Sequence, residues 1–227
     1  MRSDQSLAEI IRLASILSVV MPLVLYLIKL RYASRAVHFI GVLMIFSALS
    51  DIAAFVLSSR GESTVTLFNS YYIIVFILLG WFFYEILPPT KNSRTTIAGL
   101  VVYVLAFILI TLYVQPFNEY QTFMWTITGM IMIFFSISYF INLFSARTNV
   151  SNYELLWINS GILLYFSLNL FLFVMSSYIL TKLDPEISAL IWSFHNVNNI
   201  MKNVLFSCGI YAVRKGQTVA VASERIA

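Results

Sequence analysis

The sequence predicts an all-α, polytopic membrane protein: a single seven-helix bundle with its N-terminus outside and its C-terminus inside. Three observations carry that expectation. Only 11% of the 227 residues are charged, against about 25% in an ordinary soluble domain, and the mean hydropathy is +0.87. Seven apolar stretches, at residues 7–28, 36–57, 67–87, 97–114, 121–144, 154–181 and 187–213, approach or exceed the roughly 20 residues a spanning helix needs. Charges and turn-forming residues gather in the short segments between them.

The connections justify each cut in turn. They read "KLRYASR", "SSRGEST", "PPTKNSR", "QPFNEYQ", "ARTNVSN" and "KLDPE". Pro88, Pro89, Pro116 and Pro185 all fall in connections, where a missing N–H does least harm. Pro22 alone lies within a predicted helix, the first, and should kink it. That first stretch does not read as a cleaved signal peptide, because "LIKLRYASR" follows it in place of a small-residue cleavage site. Residues 214–227 form a short polar tail, too small to fold alone.

Basic residues orient the chain. Lys29, Arg31 and Arg35 mark the first connection as cytoplasmic, Lys91 and Arg94 the third, Arg147 the fifth, and Arg214 and Lys215 the tail. The even connections are mixed or acidic: Arg60 with Glu62, then Glu119, then Lys182 with Asp184 and Glu186. The net charge of +4 therefore concerns orientation and anionic lipid rather than nucleic acid. The lone Cys208 excludes an internal disulfide. Stretches 1–3 and 5–7 share no repeat motif of the kind that marks many transporters. One glycine in each of the second to seventh stretches reads as close helix contact.

The seventh stretch contains "HNVNNIMKNV", which looks like a loop until it is plotted at about 100° per residue. His195, Asn196, Asn198, Asn199, Lys202 and Asn203 then share one arc of roughly 160°. Phe194, Val197, Ile200, Met201, Val204 and Leu205 fill the other arc. It is a spanning helix with an inward polar stripe. At about 1.5 Å per residue, His195 lies roughly 12 Å below the outer boundary and Lys202 roughly 22 Å, near the midplane. A charge there must be paired, hydrated or neutral. Its candidate partners are Asp51 in the second stretch, level with His195 by the same count, and Glu85 near the inner end of the third. Tyr165, Asn169 and Ser176 share a face of the sixth stretch, and Asn69, Tyr71 and Tyr72 lie near the outer end of the third.

These positions predict an outward-opening polar cavity that binds a small molecule, with Asp51, Tyr72, Tyr165, Asn169, His195, Asn198, Asn199 and Lys202 as its ligand-binding residues. Catalytic signatures such as H-E-x-x-H, G-x-S-x-G or a phosphate-cradling glycine loop are absent from the sequence. His38 and His195 belong near opposite faces, so they do not share a metal.

Seven stretches with a lysine in the last one resemble microbial rhodopsins, which hold retinal on that lysine as a Schiff base. By that resemblance Lys202 would carry retinal, although Asn198 stands where the family places an aspartate and "YYIIVFILLGWF" lacks its mid-helix carboxylate. "WSFHNVNNIMKNVLF", with W-x-x-H-x-x-x-N-I, resembles the last helix of small, uncharacterised bacterial seven-helix membrane proteins, which implies the bacterial inner membrane. "ALSD" paired with an asparagine-rich last helix is similar in layout to G-protein-coupled receptors, without their N-P-x-x-Y.

The expectation is a receptor-like, non-enzymatic sensor in the lipid bilayer that signals through a cytoplasmic or membrane partner. A transporter of small solutes or ions, a retinal photoreceptor and a structural membrane subunit are the alternatives.

Overall fold

The structure, a computed structural model, describes residues 2–87, 93–145 and 153–213, the side chains of 2–6, 93–98 and 100 excepted. All regular structure among them is helical: α1 (Arg2–Ser18), α2 (Val20–Lys29), α3 (Arg35–Ser59), α4 (Val65–Ile86), α5 (Ser93–Tyr113), α6 (Thr122–Ser145), α7 (Tyr153–Lys182) and α8 (Pro185–Ala212). Among the described residues five segments are long and apolar enough to cross a membrane: Leu7–Lys29, Arg35–Ser59, Val65–Ile86, Thr122–Ser145 and Tyr153–Lys182. Val101–Tyr113 within α5 is a shorter apolar helix. At 28 residues α8 is long enough, and its polar stripe is what lowers its hydropathy. Lys91, Arg147, Arg214, Lys215, Pro88, Pro89 and the tail 214–227 lie outside the described residues.

Pro22 disturbs the first stretch only locally. It has no N–H and its ring crowds the carbonyl four residues earlier, that of Ser18. Regular helix hydrogen bonding lapses at Val19 alone, between α1 and α2, while Val19 keeps helical dihedrals (φ −68°, ψ −23°) and Leu7–Lys29 runs as one span. Other boundaries follow local chemistry. Ser34 caps α3 by accepting from the Val37 amide at 3.4 Å. At its far end Gly61, at φ 72°, lets the chain turn back, so that Gly61 N donates to Ser58 O at 3.1 Å and Glu62 N to Leu57 O at 3.0 Å. Asp184 caps α8 through the Glu186 amide at 2.9 Å, with Pro185 at the first helical position.

The helices close a ring in which α3 packs on α4, α4 on α6, α6 on α7, α7 on α8, and α8 on α1 and α2, which return to α3. Helix α5 packs on the outside of α4, and its Tyr103 hydroxyl pairs with Thr128 Oγ1 of α6 at 2.6 Å. The interior is aromatic: Phe76, Phe82, Phe83, Phe166, Phe173 and Phe206 are fully buried. Large apolar side chains cover the outside, including Leu17, Ile52, Leu109, Phe134 and Phe171. That inversion of a soluble surface is what a lipid-facing bundle requires. Two seams are close: between α7 and α8 a Cβ on Gly209 would come within 2.7 Å of the Glu154 carbonyl oxygen, and between α2 and α3 a Cβ on Gly41 would run into the Tyr26 ring.

Candidate functional site

Helix α8 shows the predicted division. Phe194, Val197, Met201 and Val204 are exposed on the outer arc, while Asn198, Lys202 and Asn203 are buried. Because α8 is wedged between α1 and α7, its polar arc serves two neighbours rather than one cavity.

Toward α1 there are two rungs. Asn199 Nδ2 donates to Ser15 Oγ at 2.9 Å, and Asn203 Nδ2 to Ser18 Oγ at 2.7 Å. Serines three apart on one helix meet asparagines four apart on the other, the spacings that align side chains along facing helices. Ser18 Oγ also donates to the Ser15 carbonyl at 2.6 Å. Ser18, the last residue of α1, is thus the one that grips Asn203.

Toward α7, Asn198 Nδ2 donates to Asn169 Oδ1 at 3.2 Å, and Asn169 Nδ2 to the Tyr165 carbonyl at 2.8 Å. Asn169 is fully buried and Asn198 nearly so. Their amides bind each other and the helix backbone, so this pair docks α8 on α7.

Lys202 lies between these two seams, 8% exposed. Its Nζ donates to Asn199 Oδ1 at 2.6 Å and sits 4.6 Å from the centre of the Tyr165 ring and 5.9 Å from that of Phe206. A cation over an aromatic face gains about 2 kcal/mol or more when desolvated. The carboxylate whose field reaches it is Asp51 of α3, without a direct ion pair. Glu85 is not among the groups that contact or polarise Lys202. Asp51 is also within electrostatic reach of Tyr71 and Tyr165, and the Tyr72 ring stacks on Trp125 and meets Phe173 edge-on. His195 packs against Trp192 at 5.0 Å, Tyr165 at 5.6 Å and Phe173 at 6.2 Å between ring centroids. Its Nδ1 is buried without a hydrogen-bond partner, as is Asn203 Oδ1. His38 belongs elsewhere, its Nδ1 3.0 Å from the Tyr26 hydroxyl.

Seven of the sequence-predicted residues, Tyr72, Tyr165, Asn169, His195, Asn198, Asn199 and Lys202, are linked by contacts, Tyr72 by way of Phe173; Asp51 reaches them through its field alone. The space within this network is smaller than an open cavity. Tyr71, Tyr72, Tyr165, Phe166, Lys202 and Phe206 help to enclose about 20 Å³, room for about one water molecule. Pockets for drug-sized ligands run to about 300–1,000 Å³, so a retinal on Lys202 does not fit this packing. A larger groove, about 410 Å³, opens between α1 and the first turns of α8 and takes only Asn196 from the stripe.

Sequence reasoning missed Ser15 and Ser18, whose only signal was their spacing shortly before Pro22. Asn69, placed near the outer mouth, is a structural clamp: its Nδ2 donates to the Phe117 and Glu119 carbonyls, both at 2.8 Å, and its Oδ1 accepts from Gln121 N at 3.3 Å. Compared with protein-family models, curated proteins and solved structures, the chain matches none.

Proposed function

We propose that this protein is a receptor-like sensor of the bacterial inner membrane, N-terminus out, whose switching element is the polar core around Lys202. One observation carries the reading. A buried lysine rests on a neutral amide and an aromatic face, with its counter-charge out of contact and an unpartnered His195 Nδ1 nearby. Charged groups within membranes are expensive and concentrate at functional sites, and unpartnered buried polar atoms call for water or a ligand. A small polar molecule entering this network would pair with Lys202 and His195 and displace Asn199 or Tyr165. Since Asn199 also holds Ser15, that displacement would loosen α8 from α1. Such a movement can be read by a cytoplasmic or membrane partner.

The test is co-purification. Small molecules extracted from the wild-type protein and from Lys202→Met should differ by at least one compound that restores thermal protection when added back to wild type alone. Identical extracts and identical protection would leave a structural subunit as the better description.

A transporter is the second reading, on a separate observation: the polar rungs from Ser15 and Ser18 to Asn199 and Asn203 lie within a turn of the helix bond lost to Pro22. Uptake into proteoliposomes that vanishes in Lys202→Ala would establish that reading over pure sensing.

A further inference from the structure

We propose that the groove between α1 and α8 is a binding site for a zwitterionic phospholipid of the ethanolamine type, one ammonium and one phosphate diester. It does not depend on the sensing role. Glu9 and Arg12 line one wall and Glu186, Trp192 and Asn196 the other, around about 410 Å³. Arg12 Nη2 donates to Glu9 Oε1 at 2.6 Å and its Nε to Oε2 at 3.0 Å. That leaves three of the five guanidinium N–H groups for another acceptor, and lone pairs on both Glu9 oxygens. A cation and an anion presented side by side complement a headgroup that carries both signs.

Depth and surroundings select a lipid. Glu9 and Arg12 lie two and five residues beyond Leu7, where the first apolar span begins, roughly 3 and 8 Å along the helix. That is headgroup depth, where tryptophan also gathers. The groove's apolar lining includes Ala8, Ile187 and Leu190. Toward the membrane interior it is followed by exposed Leu13 and Leu17 on α1 and Phe194 and Val197 on α8, a track for an acyl chain. In the assigned pose the phosphate takes the free edge of Arg12, a charge-assisted and geometrically matched pair. The ammonium lies against the Glu9 carboxylate.

The experiment is a lipid titration of the full chain in detergent, followed by native mass spectrometry and by tryptophan fluorescence. Short-chain phosphatidylethanolamine should bind saturably, and phosphatidylglycerol, lacking the ammonium, about tenfold more weakly. Arg12→Gln should weaken the ethanolamine lipid about tenfold, Glu9→Gln should erase the preference over phosphatidylglycerol, and Arg60→Gln, on another connection, should change neither. Trp192→Phe should keep binding and lose the fluorescence response. Equal binding by wild type and Arg12→Gln, or no preference between headgroups, would overturn the proposal. Soluble glycerophosphoethanolamine binding as tightly as the lipid would overturn the lipid assignment.

Discussion

Asn203 Nδ2 donates to Ser18 Oγ across 2.7 Å, joining two residues 185 positions apart. Asn203 Oδ1 is already unpartnered, so this bond is what satisfies the buried amide. Interhelical hydrogen bonds in membranes contribute about 0.6 kcal/mol on average and about 1.7 at most. Ser18→Ala should cost about 1–2 kcal/mol, at or somewhat beyond the upper end, because it leaves a buried amide without partners. Adding Asn203→Ala should cost less than the sum of the single changes. Thermal denaturation of both single variants and the double variant checks this, and strict additivity would deny the bond any weight.

Asp51 and Lys202 should respond unequally to neutralisation. Lys202→Met removes a buried charge and keeps an unbranched apolar stem, so its melting temperature should match or exceed wild type. Asp51→Asn removes the one carboxylate whose field reaches the ammonium, out of contact with it, and should destabilise by about 1 kcal/mol. The double variant should recover most of that loss. A larger loss in Lys202→Met than in Asp51→Asn would reverse the assignment.

Gly209→Ala and Gly99→Ala should differ in sign. The added Cβ at Gly209 meets the Glu154 carbonyl 2.7 Å away and Ile158 at the same distance, forcing α7 and α8 apart. A cost of about 1–3 kcal/mol is expected from overpacking. At Gly99 nothing lies within 4 Å, and exchanging helical glycine for alanine should add up to about 1 kcal/mol. Melting temperatures of the two variants decide it.

Asn69→Ala should release the connection between α5 and α6. Three hydrogen bonds to Phe117, Glu119 and Gln121 disappear, worth about 2–4 kcal/mol together. Limited proteolysis should then cut near Asn118 well before wild type is cut. Unchanged cleavage would mean that the Gln121 side chain, donating to the Gln115 and Pro116 carbonyls, holds the connection alone.

Much of this was legible in the sequence because periodicity survives folding. The arc from His195 to Asn203 and its apolar complement are set by helical geometry, and the structure buries one and exposes the other. The seven stretches were found within a few residues, except at the starts of α1, five residues before position 7, and α5, four residues before position 97. What was not legible depends on neighbours. Ser15 and Ser18 are ordinary occupants of an apolar helix until α8 lies against them. The effect of Pro22 shows at Val19, where one residue loses regular helix bonding while keeping helical dihedrals, because the steric conflict falls on the carbonyl of Ser18, one turn back. Counting residues placed Asp51 level with His195 rather than Lys202. Such counts ignore tilt and the long lysine stem, which carries its charge several ångströms from the Cα, and the field of Asp51 reaches Lys202 after all.

The two rungs that join Ser15 to Asn199 and Ser18 to Asn203 span 184 and 185 residues. A ribosome adds about 5–20 residues per second. For roughly 10–40 s after Ser18 leaves the exit tunnel, its hydroxyl has no Asn203 to receive. During that interval α1 must wait with its serine edge uncovered. The seam between α1 and α8 therefore closes only once α8 has been made, and any factor that shields polar helix edges from premature partners has a long task at α1.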